Sequence, residues 1–170
     1  MRLFLFALAL ALLALPPAAS AQVEGPGPSS PERDGGWFTF GVGTAGPRGV
    51  AGAVTANFGR ERIWQVGLHA TESGIFAPAV PTSNALHLGY GFSGVDRYSR
   101  VALTLGPAVV WGVSDPETDA RYVTAGVVAN AQFIVTPLRE FGVGVDVFMN
   151  LNPEVPALGA ALTFAFEGNK

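Results

Sequence analysis

The last apolar run of the chain, residues 157–166, constrains the fold more than any other stretch. It reads A-L-G-A-A-L-T-F-A-F, so the large side chains of Leu158, Leu162, Phe164 and Phe166 alternate with small ones. Alternation of this kind has the period of an extended strand. A half-buried strand of a soluble protein would carry strongly polar residues on its second face, because that face would contact water. Here the second face carries only alanine, glycine and threonine, which predicts lipid on one side and a narrow protein interior on the other.

Seven earlier runs repeat this alternation and are separated by segments rich in turn-forming residues. They cover residues 37–44, 50–58, 63–71, 85–92, 100–111, 121–135 and 141–150. Most have about the 9–11 residues that a tilted strand needs to cross a bilayer. Glycine, proline, asparagine or threonine interrupts every candidate for a spanning helix after the N-terminal segment. The sequence therefore predicts an all-β fold over residues 36–170, an antiparallel up-and-down transmembrane β-barrel of about eight strands.

The predicted connections differ in length in a way that orients the barrel. The second, fourth and sixth are compact, whereas the third, fifth and seventh are longer or more polar. Short periplasmic turns and longer outer loops, with both termini in the periplasm, would produce this pattern. Pro107 falls inside the fifth run, where we expect it to mark a bulge or a strand end.

The N-terminal 35 residues predict export and no fold of their own. Residues 1–21 combine Arg2, an apolar core and the small residues Ala19 and Ala21, so we expect a signal peptide that is cleaved after Ala21. Residues 22–35 are rich in proline, glycine and serine and predict a flexible leader. The chain has no cysteine, so neither a disulfide framework nor a lipid on a cysteine is possible.

Composition and motifs argue against several functions. Charged residues make up only 14% of the chain, the mean hydropathy is +0.35, and the ten basic residues are scattered around a net charge of −3. We therefore predict no binding of nucleic acid. The glycines of residues 41–49 lack the lysine and following helix of a phosphate loop, and we predict no cofactor. Asp115, Glu117 and Asp119 share one loop, which we interpret as solvated charge.

Polar side chains on the inward positions predict a hydrogen-bonded network inside the barrel. His69 and His87 lie on neighbouring strands and would be opposite or nearly opposite, so a metal or acid–base site is conceivable, but structural packing is the stronger interpretation. Asp146 is the only carboxylate in the middle of a predicted strand, and we expect Arg100, a histidine or a water chain to satisfy it. No catalytic, cofactor-binding or metal residue is predicted. The predicted lumen network comprises Asn57, Gln65, His69, His87, Arg100, Asn130, Gln132 and Asp146.

With its signal peptide, strand spacing and terminal strand, the chain resembles the small outer-membrane β-barrel family of Gram-negative bacteria, of the OmpA and OmpX type, over residues 36–167. The resemblance implies an outer-membrane location, a lipid environment and help from the barrel-assembly machinery, which recognises a C-terminal strand with a terminal aromatic residue. Gly159, Leu162, Phe164 and Phe166 match that assembly signal, although residues 167–170 follow the aromatic position.

Three functions follow from these observations. The first is a monomeric, non-enzymatic outer-membrane barrel with a structural or surface-interaction role, an unknown extracellular partner and at most a narrow pore. The second is a soluble periplasmic lipocalin-like barrel that binds an apolar ligand, which would point its large apolar side chains inward. The third is an outer-membrane lipid hydrolase, because His69-Ala70-Thr71-Glu72 resembles the His-x-Ser pair of lipid A deacylases, with Thr71 in place of the serine.

Overall fold

The computed structural model of the chain describes residues 35–46, 49–74, 79–137 and 140–168. The predicted signal peptide and the leader up to residue 34 lie outside the described residues. No helix in the described part of the chain is long and apolar enough to cross a membrane. The described residues form eight strands: β1 (Trp37–Ala45), β2 (Gly49–Gly59), β3 (Arg62–Ser73), β4 (Thr82–Val95), β5 (Ser99–Asp115), β6 (Ala120–Val135), β7 (Phe141–Leu151) and β8 (Ala157–Glu167).

The strands close into one antiparallel barrel in the order β1 to β8. Strand β8 pairs with β7 on one side and with β1 on the other, so that Phe166 lies opposite both Phe141 and Phe38. Closure leaves no strand edge within the wall of the barrel, which satisfies the backbone hydrogen bonds without water. The predicted all-β barrel is therefore confirmed, and β8 is the closing strand.

Side chains alternate strictly between the two faces of the wall. In β3, Gln65 and His69 are buried, whereas Trp64, Val66 and Leu68 are exposed on the outside. The same alternation in the other strands leaves a few large apolar side chains inside, among them Ile63, Ile134 and Phe148, and places most of them outside, as an apolar belt around the barrel. Its members on the first four strands include Phe38, Phe40, Val54, Phe58, Trp64, Val66, Leu68, Leu86, Leu88, Tyr90 and Phe92.

Strands β5 and β6 are longer than the sequence predicts. They have 17 and 16 residues, and their pairing continues to Asp115 opposite Ala120, with a register shift between Val113 and Asp115. The polar residues at the end of β5 and the start of β6 are typical of a loop in the sequence. In the structure they lie beyond the apolar belt, where a strand needs no apolar outer face. The fifth connection is consequently residues 116–119 only, so the strand ends predicted at residues 111 and 121 are wrong, whereas the connection is polar as predicted. The third connection, residues 74–81, is the longest.

Pro107 marks neither a bulge nor a strand end. It lies opposite Val127 in the part of the β5–β6 ladder that has regular pairing, but Gly106 and Pro107 have no pairing partners in β4. Because proline has no N–H, the ladder breaks on the side to which that group would point. The backbone nitrogen of Pro107 therefore points toward β4, and the pairing of β5 with β6 is unaffected at this position.

Two glycines make room for large rings inside the barrel. A Cβ atom at Gly67 would contact the ring of His87, and a Cβ atom at Gly159 would contact the ring of Phe148. Both glycines face inward, so each provides the space into which one ring packs. At the centre of the barrel, each of these two large rings thus packs over a glycine.

Candidate functional site

The carboxylate of Asp146 is the centre of the polar interior. It is completely buried in the middle of β7, and its two oxygens accept hydrogen bonds from Asn130 Nδ2 at 2.6 Å and from Gln132 Nε2 at 2.8 Å. His69 Nε2 lies 3.7 Å from the first of these oxygens. Neutral amide donors thus take the place of water around a buried charge. A histidine is among the expected neighbours of Asp146, whereas Arg100 makes its contacts elsewhere.

Gln132 connects this carboxylate to strands β1 and β2. Its Nε2 atom also donates to Thr55 Oγ1 at 2.9 Å, and its Oε1 atom accepts from Trp37 Nε1 at 3.3 Å. The hydroxyls of Thr39 and Thr55 are 2.8 Å apart, and Asn57 Nδ2 donates to Thr55 Oγ1 at 2.9 Å. Four strands are therefore joined across the interior by side-chain hydrogen bonds.

Gln65 performs the same role toward strands β4 and β5. Its Nε2 atom donates to Asn57 Oδ1 at 2.8 Å and to Asn130 Oδ1 at 3.0 Å. Its Oε1 atom accepts from Thr104 Oγ1 at 2.7 Å and lies 2.9 Å from His87 Nε2. All four hydrogen-bonding positions of this amide are used, which is the full capacity of a glutamine side chain.

The two histidines form a stack with Phe148. His69 lies opposite Ala85 and His87 opposite Gly67, so the histidines are diagonal neighbours, and their ring centroids are 4.9 Å apart with planes at 13°. Phe148 stacks on His69 at 4.2 Å. Among the described residues, no group of three His, Cys, Asp or Glu side chains is placed to hold a metal ion. Face-to-face packing of this kind fills the interior.

Arg100 closes the end of the barrel at which β1 begins and β8 ends. Its guanidinium lies 3.9 Å from the ring centroid of Trp37, and Nη2 donates to Glu167 Oε1 at 3.3 Å. Glu167 is the last residue of β8 and has the inward parity of Ala165. In the sequence, Glu167 stands out only as the first residue after the aromatic position Phe166, but its inward parity could have identified it as an interior residue.

Polar contacts at the loop end hold strands β3, β4, β6 and β7 together. Asn150 Nδ2 donates to Ser83 Oγ at 2.9 Å, and the Tyr122 hydroxyl donates to the Thr82 carbonyl at 3.0 Å. The Thr71 hydroxyl donates to the Ser83 carbonyl at 3.1 Å, whereas His69 faces Asn130 and Asp146. The two residues of the hydrolase-like motif therefore face different partners.

The hairpin of β5 and β6 carries an ordered acidic tip. Asp115 accepts hydrogen bonds from the Thr118 hydroxyl at 2.8 Å and from the Glu117 backbone N–H at 3.0 Å. These bonds, that of Thr118 first, stabilise the charged carboxylate and hold the pKa of Asp115 below its ordinary value. Asp119 forms an exposed ion pair with Arg121 at 3.1 Å.

The structure buries all eight residues of the predicted lumen network, each with an exposed fraction of 4% or less. Seven of them share one connected set of contacts around Asp146, and Arg100 joins this set through the ring of Trp37. Residues that the prediction omitted are Trp37, Thr39, Thr55, Thr104, Phe148 and Glu167. Most of these are apolar or weakly polar, so only their inward parity could have indicated a place in the network.

The four residues of the predicted assembly signal lie on both faces of β8. Gly159 is buried against Phe148, while Leu162, Phe164 and Phe166 are exposed on the outside. Across the closing seam, the ring of Phe40 lies 5.5 Å from that of Phe164 and 6.0 Å from that of Phe166. The aromatic side chains therefore also contribute packing between the first and last strands.

Comparison with known proteins identifies relatives in structure but none in sequence. No protein-family model and no curated protein matches the sequence. The structure is similar to the N-terminal β-barrel domain of Pseudomonas aeruginosa OprF, with a TM-score of 0.59, 11% identity, and coverage of 79% of this chain and 98% of that chain. It is similar to Ail, the attachment invasion locus protein of Yersinia pestis, with a TM-score of 0.52, 9% identity and coverage of 79% and 98%. A second structure describes Ail as an outer membrane protein in a bilayer nanodisc.

A designed protein has the same architecture. A de novo transmembrane β-barrel matches with a TM-score of 0.51, 14% identity, and coverage of 79% of this chain and 96% of that chain. Identities this low show the fold alone. The chain therefore has the fold of the small eight-stranded outer-membrane barrels, as its resemblance to that family implies.

Proposed function

We propose that this protein is a non-enzymatic barrel of a bacterial outer membrane, exported by its signal peptide, with a structural or surface-interaction role. The observation that carries the proposal is the distribution of side chains across the wall. Most large apolar side chains face outward, whereas the interior holds polar side chains that bond to one another, with a few apolar ones such as Ile63, Ile134 and Phe148. Outer-membrane lipid and, during biogenesis, the barrel-assembly machinery are the partners this role requires, and the barrel acts as a monomer.

The apolar belt supports membrane insertion because water would be a poor environment for it. Phe58, Trp64, Leu86 and Leu105 each expose half or more of their surface on the outside of the barrel. Burying one such side chain in an apolar environment is worth about 1.5–3 kcal/mol. Contiguous exposed apolar surface of this extent marks a membrane or protein contact. In lipid, the belt becomes a source of stability.

The filled interior supports a role that does not depend on a wide pore. The section around Asp146 is occupied by amides, hydroxyls and the stacked rings of His69, His87 and Phe148. An eight-stranded barrel is just wide enough for side chains to fill it. We therefore expect the barrel to conduct ions weakly at most, through a narrow pore.

The two other functions have less support. A lipocalin-like barrel needs an apolar interior, but more than half of the largest fully buried side chains are polar, and most of the large apolar side chains face outward. A lipid hydrolase needs its nucleophile and base to act on the same exposed atom. Thr71 and His69 are both buried and have different hydrogen-bonding partners.

A pair of arginine substitutions tests the proposal with a matched control. Leu88 lies outside the barrel in the middle of β4, whereas Val123 lies outside in the part of β6 that extends beyond β7. An arginine at the bilayer midplane costs about 2–4 kcal/mol, and little outside the lipid. We expect Leu88→Arg to reduce the folded fraction in lipid vesicles, seen as loss of heat-modifiable gel mobility, while Val123→Arg folds normally. Recovery of the protein without substitutions in the soluble periplasm would refute the proposal, as would equal folding of the two arginine variants.

A further inference from the structure

We propose that residues 120–126 of β6 bind an extended, positively charged segment of a partner protein by β-strand addition. This inference rests on the proposed function, because the loop end of the barrel must face the outside of the cell. It deepens that function by naming the surface that interacts and the chemistry of its partner.

Strand β6 has a free edge because β7 is shorter. The β6–β7 ladder ends with Val127 opposite Leu151, whereas the β5–β6 ladder continues to Arg121 and Ala120. Residues 120–126 are therefore paired on the β5 side only. A free edge of this kind presents unpaired backbone N–H and C=O groups to an incoming strand.

The position of Pro107 identifies which peptide groups are available. The ladder breaks between Pro107 and β4, so residue 107 directs its backbone bonds away from β6, and its partner Val127 directs its own toward β7. Backbone direction alternates with a period of two. The peptide groups of Arg121, Val123 and Ala125 consequently face the free edge.

In the described part of the chain, the neighbouring turn is hydrogen-bonded within itself and not to the backbone of this edge. In the β7–β8 connection, Asn152 Oδ1 accepts from the backbone N–H groups of Glu154 and Val155, and Asn152 Nδ2 donates to the Val155 carbonyl. The turn therefore satisfies its polar groups internally. Among the described residues, no backbone hydrogen bond joins residues 120–126 to residues 152–156.

The segment has few of the features that usually protect an edge from pairing: Arg121 is its one charged residue, and the register shift between Val113 and Asp115 lies at its end. The segment reads A-R-Y-V-T-A-G, with no proline and no lysine, and Val123 is 76% exposed. The Tyr122 hydroxyl bonds to the Thr82 carbonyl and ties β6 to β4. The edge is thus held in an extended conformation, so an added strand meets a preformed template.

The charges around the edge select a basic partner. Asp115, Glu117 and Asp119 lie at the hairpin tip, and Glu154 lies in the adjacent turn. Arg121 is the basic residue of this group and is paired with Asp119. Two copies of this chain in one membrane point the same way, so their acidic tips would meet and repel. A segment with alternating lysine or arginine and β-branched residues complements both the charge and the apolar side chain of Val123.

A labelled peptide tests the proposal on the full chain in bilayer nanodiscs. Insertion is measured first by heat-modifiable mobility, which separates failure of the proposed function from failure of this inference. The probe is a fluorescent peptide, K-V-T-V-K-V-T-V-K, with E-V-T-V-E-V-T-V-E as the charge control, and binding is measured by anisotropy. We expect the lysine peptide to bind at least ten times more tightly than the glutamate peptide.

Three variants identify the edge as the binding surface. Val123→Pro removes one edge N–H and should weaken binding of the lysine peptide at least tenfold, whereas Val123→Ala should change it less than threefold. Should Val123→Pro fail to fold, a peptide with alternate N-methyl groups blocks the same bonds from the other side and should also lose binding. Undiminished binding with either block overturns the proposal, as does equal binding of both peptides. Disulfide-linked dimers of Val123→Cys in the membrane would instead assign the edge to a second copy and would also overturn it.

Discussion

Replacing Asp146 with asparagine should destabilise the barrel by a defined amount, and a second substitution should restore the loss. In the structure, both oxygens of Asp146 accept from amide donors, those of Asn130 and Gln132. An asparagine keeps the shape of the side chain but replaces one acceptor with a donor. One N–H group would then face another inside a completely buried site.

The expected magnitude follows from the two bonds. Hydrogen bonds to a charged group contribute about 1.5–3 kcal/mol each, a neutral bond about 1 kcal/mol, and a buried unpaired donor costs about 1–3 kcal/mol. Removing the buried charge offsets part of this loss of stability, because a carboxylate is costly to desolvate. We therefore expect Asp146→Asn to lower the free energy of unfolding by about 2–4 kcal/mol.

The rescue is Gln132→Glu in the Asp146→Asn background. The glutamate supplies the missing acceptor opposite the new amide and can still accept from Trp37 Nε1. Thr55 Oγ1 accepts from Gln132 Nε2 in the structure, and in the variant its hydroxyl would turn to donate to the glutamate. The double variant keeps the interior charge and moves it across one strand pair. It should recover at least about half of the lost stability, about 1–2 kcal/mol. Because Gln132→Glu alone is also destabilising, the coupling energy in the double-mutant cycle should exceed this recovery.

Unfolding by urea in lipid vesicles, followed by tryptophan fluorescence and by heat-modifiable gel mobility, measures all four proteins of the cycle. Gln132→Glu alone places two carboxylates together and should be the least stable. A stability change below about 0.5 kcal/mol for Asp146→Asn, which is the range of an ordinary surface substitution, would refute the hydrogen-bond assignment. A double variant no more stable than Asp146→Asn would refute it as well.

Glu167→Gln removes the charge beside the buried Arg100 and should lower the free energy of unfolding by about 1–2 kcal/mol, whereas Glu154→Gln in the exposed β7–β8 turn should have no measurable effect. For the same reason, truncation after Phe166 should reduce stability in urea titrations rather than leave it unchanged. Gly159→Val would collide with the ring of Phe148 and should reduce the yield of folded barrel in vesicles. Because the pKa of Asp115 is lowered, its carboxylate stabilises the hairpin tip at pH values above the ordinary aspartate range, and this stabilisation is lost as the pH falls through the lowered pKa. The amide signals of Glu117 and Thr118 in NMR spectra should report that loss. Loss of the hairpin-tip structure at neutral pH would contradict this prediction.

The strands and their inward positions could be predicted because alternation carries that information directly. Each large apolar residue in the run 157–166 is outside, and the small residues of the opposite parity face inward. Inward parity was also enough to place Gln65, His69 and Asp146 in the interior, since a barrel wall offers only two faces.

Strand ends and individual partners could not be predicted in the same way. Polar residues such as Ser114 and Asp115 look alike in a loop and in a strand that extends into water, so the length of the β5–β6 hairpin was underestimated. Which groups meet across the interior depends on the stagger of all eight strands. The alternation of side chains does not determine that stagger, so it could not predict that Arg100 pairs with Glu167 rather than with Asp146.

Spin labels on the outer face give the most direct test of the central claim, that the apolar belt is embedded in lipid. The chain has no cysteine, so single cysteines at Leu86, Leu88, Tyr90, Phe92 and Val123 can each carry one label. In reconstituted vesicles, we expect collision with oxygen to be greatest at Leu88 and access to a water-soluble nickel chelate to be lowest there. The label at Val123 should show the opposite behaviour. Free access of the nickel chelate to the label at Leu88 would contradict the account.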